Sequence, residues 1–118
     1  MSKSQITTNN EDEFLKVLEN LILSGCKLIF AAPIGNRFNV SAEIRFMPVT
    51  GGGFQYGLAR INYMNQRGGG MYSSDPERIY LWAIDVEKEN RSSSWWFVRD
   101  CEHTPSVDYF DAIDHLPV

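Results

Sequence analysis

A thiol and an imidazole stand close together at one place in the chain, Cys101-Glu102-His103. If a strand runs through them, residues two apart point to the same side of the sheet. A Cys–His nucleophile pair also needs a third group to orient the imidazole, and donors for an oxyanion. Neither stands nearby, and two residues is a poor spacing for proton transfer between the pair. The triplet reads as an ordinary strand end. Asp108, Asp111 and His115 would share one helix face at i, i+3 and i+7, a set that a divalent metal accepts. Metal sites draw ligands from several elements, however, and three charged positions on one helix are ordinarily its solvated face. No metal and no cofactor is expected.

Two triple glycines, Gly51-Gly52-Gly53 and Gly68-Gly69-Gly70, raise the question of a phosphate cradle. Such a cradle runs from a strand through a glycine-rich loop into a helix N-terminus. Both glycine runs read instead as loops between strands, which can carry binding function but do not present aligned helix N–H groups. The fragment Arg67-Gly68-Gly69-Gly70 is single, whereas RNA-binding tracts of that kind repeat. Arg60, Arg67, Asp100 and His103 are the polar groups that a small-molecule cleft between the glycine loops and the C-terminus would use.

The elements that would position these residues are legible in part. Residues 1–9 read as a flexible tail, and residues 10–118 as a single α+β domain. Phe14, Val17, Leu18, Leu21 and Ile22 recur at i, i+3, i+4, i+7 and i+8, the stripe of an amphipathic helix over residues 11–24. Thr8 with Glu11, or Asn10 with Glu13, can cap its start, and Gly25 can take the left-handed conformation at its end. Cys26 to Ala32 reads as a strand. Phe38 to Phe46 alternates apolar and polar residues, a strand with one wet face. Phe54 to Met64 changes phase near Gly57, as a bulge would make it do. Residues 65–77 read as a loop. Arg78 to Glu87 reads as a fourth strand with Tyr80, Trp82, Ile84 and Val86 on one face, and Ser94 to Cys101 as a fifth. Thr104-Pro105 opens a short helix over about 105–115, with Tyr109, Ile113 and Leu116 on one stripe and Val107 and Phe110 beside it. With no crossover helix between strands, the expectation is an α+β fold: an N-terminal helix on a roughly five-stranded antiparallel sheet, closed by a short C-terminal helix.

At 118 residues the chain is the size of one ordinary domain. Fifteen acids against eleven bases give a net charge of −4. That balance argues against a protein that binds nucleic acid directly by neutralising phosphates. No apolar stretch approaches the roughly 20 residues of a membrane span, so no membrane partner is expected. No basic region leads into an apolar one at the N-terminus, so a cytoplasmic location with Cys26 and Cys101 as free thiols is expected.

The charge is unevenly placed. Residues 100–118 hold Asp100, Glu102, Asp108, Asp111 and Asp114 with no Lys or Arg, a net of −5, while residues 1–99 hold ten acids and eleven bases, a net of +1. Aromatic residues make up 13% of the chain, more than a core of this size ordinarily uses. Trp95 and Trp96 are consecutive in a strand and must point to opposite faces, so one of them is expected on the face the first helix does not cover. An acidic surface with aromatic members is suited to capturing a basic one. The expected role is that of a small non-catalytic inhibitor that blocks a basic protein, most concretely an immunity protein neutralising a bacterial nuclease toxin. Asp108, Asp111, Asp114 and Glu102 would steer the partner, with Trp96 and Tyr109 as anchors. A phage-encoded inhibitor of a host defence complex fits the same features. A small ligand-binding or enzymatic α+β domain, or a homodimer that buries its free sheet face, are the readings of other classes.

Overall fold

The helix expected first forms where its signals place it. Asn10 is the N-cap, and its Oδ1 accepts from the Glu13 backbone N–H at 3.1 Å, while Glu11, Asp12 and Glu13 occupy the positive end of the helix. Gly25 ends it at φ +65°, a conformation that costs glycine little. The computed structural model describes residues 5–34, 37–61 and 67–99. In order they form β1 (Gln5–Ile6), α1 (Glu11–Ser24), β2 (Cys26–Ile34), β3 (Arg37–Pro48), β4 (Phe54–Ile61), β5 (Arg67–Ser73), α2 (Pro76–Glu89) and β6 (Ser94–Arg99). The strands make one six-stranded sheet in the order β1-β6-β2-β3-β4-β5, and every neighbouring pair is antiparallel.

The fold class is therefore α+β with an antiparallel sheet, as expected, and four elements differ from expectation. First, residues 5–9 do not trail from the domain. Ile6 pairs with Trp95, and Thr8 is buried, its backbone N–H and Oγ1 both donating to Glu87 Oε2 at 3.1 and 2.6 Å. The Tyr80 hydroxyl donates to the Thr8 carbonyl. Second, residues 67–73 pair with β4 as an edge strand. Third, β4 does not change phase at Gly57: its register with β3 is unbroken, and the extra residue is Gly69 on β5, between Gly68 opposite Arg60 and Gly70 opposite Ala59.

Fourth, residues 78–87 are not a strand but the body of α2. Asp75 caps α2 by accepting from the Glu77 N–H at 3.0 Å, and Pro76 occupies the first turn, where a missing N–H costs nothing. Ile79, Ala83 and Val86 are the buried residues, spaced i, i+4 and i+7. The alternation of Tyr80, Trp82, Ile84 and Val86 mimics a strand because α2 carries apolar residues on both sides of its buried line.

These corrections account for the topology. β1 and β2 both run antiparallel to β6, hence parallel to each other, and α1 joins them with β6 inserted between. β5 lies at the far edge, so the chain must cross back to reach β6, and α2 makes that crossing.

Both helices cover the same sheet face. Phe14, Val17, Leu18 and Leu21 of α1 and the buried residues of α2 share one core with Leu28, Phe30, Ile44 and Trp95. Trp95 stacks at a tilt on Phe30, with ring centres 5.0 Å apart, and meets Phe14 edge-on at 6.1 Å. The Tyr56 hydroxyl reaches across from β4 to donate to the Leu18 carbonyl at 2.8 Å, tying sheet to helix. No helix among the described residues is long and apolar enough to cross a membrane.

Candidate functional site

The opposite face of the sheet carries a second buried cluster: Ile29, Ala31, Val40, Ile61, Trp96 and Val98. All six are strand residues, and none of the buried helix side chains belongs to this cluster. The face also holds charge. Lys27 and Glu43 are 0% and 1% exposed, with Lys27 Nζ 3.3 Å from Glu43 Oε2. Arg45 Nε lies 3.9 Å from Glu43 Oε1 on the more open side. The strand register explains the pair. Glu43 is opposite Ile29 and Lys27 opposite Val98, so both side chains project between apolar neighbours. Charges sealed this way are stable only as partners, because desolvating either one alone is far costlier than exposing it.

The consecutive tryptophans point to opposite faces, as expected, with Trp96 on the face that α1 does not cover, and neither is exposed. Trp95 is fully buried in the first core, and Trp96 is 7% exposed in the second. The Trp96 indole N–H donates to the Ala31 carbonyl at 3.1 Å. Among the described residues the large apolar side chains that do meet solvent are Tyr72 on β5, Leu81 on α2 and Val49 at the end of β3. Leu81 faces away from the buried line of α2. Tyr72 stands over Gly57, where an added Cβ would lie 3.4 Å from the tyrosine ring and 2.6 Å from Met47 Sδ. Glycine there leaves a shallow slot of about 200 Å³ between β3, β4 and β5, with Glu43 and Arg45 at one end.

A larger cleft, of about 430 Å³, opens where β1, the first turn of α1, the last turn of α2 and the start of β6 converge. Glu13 and Glu87 line it, with Ser93 and Trp95. The Ser93 hydroxyl and the Trp95 indole N–H are buried with no hydrogen-bond partner. On the helix side of the sheet, the Arg60 guanidinium is held by both Glu89 carboxylate oxygens, with Nη2 to Oε1 at 2.9 Å, and lies 5.4 Å from the centre of the Trp82 ring. That hydrogen bond from Arg60 holds the Glu89 carboxyl below its ordinary value. Arg60 thus braces α2 against β4 and does not line either cleft.

Of the remaining residues singled out by type and spacing, Glu102, Asp108, Tyr109, Asp111 and Asp114 lie outside the described residues, as do Asp100, Cys101, His103 and His115 and the expected helix over 105–115. Among the described residues, no group of three or more His, Cys, Asp or Glu could hold a metal ion. The buried pair Lys27–Glu43 and the unpartnered Ser93 and Trp95 are the features that sequence reasoning missed. The only trace of the pair in the sequence is Lys27 heading an otherwise apolar strand.

The chain is thus an α+β protein with a six-stranded antiparallel sheet and both helices on one face. No family model, no curated protein and no solved structure matches it.

Proposed function

We propose that the chain is a small non-catalytic protein-binding inhibitor whose acidic C-terminal segment blocks a basic partner, most concretely an immunity protein that neutralises a bacterial nuclease toxin. The observation that carries this reading is the separation of charge: a net of −5 in residues 100–118 against +1 in residues 1–99. Such a segment competes with nucleic acid for a basic surface and accelerates encounter with it. Asp108, Asp111 and Asp114 are the steering residues, with Glu102 adjoining them. A phage-encoded inhibitor of a host defence complex would use the same surface in the same way. A ligand-binding role is the second reading, favoured by the cleft in which Ser93 and Trp95 keep unpartnered polar atoms.

The test begins with capture of the partner from host lysate by tagged protein and release by a salt step. The purified partner is then assayed with and without the inhibitor. The reading expects one basic protein, stoichiometric loss of its nucleic-acid-directed activity, and association that slows at least tenfold in the Asp108→Lys/Asp111→Lys/Asp114→Lys variant with a flatter salt dependence. Capture of no basic protein, or association rates unchanged by the triple reversal, would overturn it.

A further inference from the structure

The second face of the sheet is buried, yet the described helices lie on the first. Ile29, Ala31 and Val98 are 0% exposed on a surface built from strand residues alone. A sheet face with no layer over it leaves its side chains half open to water, so a further layer must seal it. We infer that this layer is the chain's own C-terminal segment, residues 100–118, docked by its apolar side across β6, β2, β3 and β4.

Three observations single out this occupant. The first is where the chain leaves the sheet. β6 ends at Arg99, paired with Cys26, immediately beyond the Val98–Lys27 pair at the edge of the second cluster. Nineteen residues follow from that corner. The second is length. The cluster spans four adjacent strands, or three inter-strand steps, about 14 Å. The helix that the sequence expects over 105–115 would be about 16 Å long, enough to cross it.

The third is the match of surface chemistry. At 3.6 residues per turn, Tyr109, Phe110, Ile113 and Leu116 fall within an arc of about 120°, and Asp108, Asp111 and Asp114 fall on the other side. The apolar arc matches a face of Ile, Val, Ala and Trp.

Docked in this way, Trp96 anchors the segment and not a partner, and Tyr109 turns to the sheet. The aspartates form an outward acidic ridge. The docking stands independently of the inhibitor role. If that role also holds, the ridge is the surface the basic partner meets.

The test is nuclear magnetic resonance on the full chain without any partner, so its outcome is separate from that of the inhibition assay. The inference expects cross-relaxation between the methyl groups of Ile113 and Leu116 and the Trp96 ring, and between the same methyls and Ile29 or Val98. An equimolar mixture of differently labelled copies must show these contacts within one molecule. In the Ile113→Asp/Leu116→Asp variant, exchange of the Trp96 indole proton should speed up at least tenfold, while that of Trp95 stays as it was. The Asp111→Asn/Asp114→Asn variant should change neither. Random-coil shifts over 100–118 with no contact to the second face would overturn the inference. So would contacts found only between copies, which would make a second molecule the covering layer. Global unfolding of the apolar variant would show as exchange at both indoles; the contacts in the unmodified chain then decide alone.

Discussion

Lys27 Nζ and Glu43 Oε2 lie 3.3 Å apart on neighbouring strands, both sealed from water, on the sheet face that no described helix covers. Removing one partner takes the closest counter-charge from a buried group, a loss that costs about 3–5 kcal/mol where a buried pair is broken, whereas replacing both by apolar side chains of similar volume is often neutral or better. Lys27→Met and Glu43→Leu should each lower the denaturation midpoint sharply, and the double variant should recover most of the loss. Chemical denaturation of the four proteins in the cycle gives the coupling directly. Additive losses would mean that the two charges do not act as a pair.

Tyr56 offers a test of burial through pH. Desolvation, with a smaller contribution from the Glu19 carboxylate, pushes its hydroxyl up to about 12. The folded state thus holds this proton more tightly than the unfolded chain does. The corresponding stability is fully present below about pH 10 and is lost as pH rises toward 12. Tyr56→Phe should cost about 1 kcal/mol at neutral pH by deleting the hydrogen bond to the Leu18 carbonyl. It should also flatten the alkaline decline of stability. A titration of unfolding free energy between pH 8 and 12 for both proteins checks it.

The edge strand depends on one glycine more than on its neighbours. A Cβ on Gly70 would lie 1.8 Å from the Leu58 carbonyl oxygen, backbone that cannot swing aside, whereas a Cβ on Gly68 meets nothing within 4 Å. Gly70→Ala should destabilise by about 3 kcal/mol or more and loosen the β4–β5 pairing, with Gly68→Ala close to neutral. Amide exchange over residues 55–61 reads the difference, which should appear in the Gly70 variant alone.

The Arg60–Glu89 pair should act as a mild acid-sensitive brace. Because the hydrogen bond from Arg60 lowers the Glu89 carboxyl, its contribution is present above the ordinary carboxylate range and disappears as pH falls through the lowered value. Glu89→Gln should make the acid side of the stability profile shallower, and the difference should shrink in high salt because both groups meet solvent. Arg60→Ala should cost more than Glu89→Gln, since it also removes the cation from the face of Trp82. Equal losses in the two variants would assign the ring contact no part in the brace.

Helix α2 shows how local signals compete. Asp75-Pro76-Glu77 is an N-cap followed by proline in the first turn, a start signal that the structure uses in full. Against it stand the β-forming residues Ile79, Tyr80, Trp82, Ile84 and Val86, whose alternation fits a strand as well as their 3.6-residue spacing fits a helix. Only the layer beneath decides between them: Ile79, Ala83 and Val86 have a core to face, with Trp95 and Phe14 in it. β5 is the converse case. Three consecutive glycines signal a loop, and the strand exists because β4 supplies hydrogen bonds and a carbonyl that leaves no room for a side chain at Gly70.

Residue order alone determined α1 with its end at Gly25, the strands it places at 26–32 and 38–46, which the structure extends to Ile34 and to Arg37–Pro48, and the opposite faces of Trp95 and Trp96. Each rests on periodicity or capping among neighbours in the chain. The sheet order was decided only in three dimensions. β6 fits between β1 and β2, and Gln5 reaches Ser94 across 89 positions of sequence. Pairing at that range depends on hydrogen bonds between distant backbones and leaves no period in either segment. Tertiary structure also decided that both tryptophans are buried. Alternation tells which face a side chain takes, and burial depends on what is laid over that face.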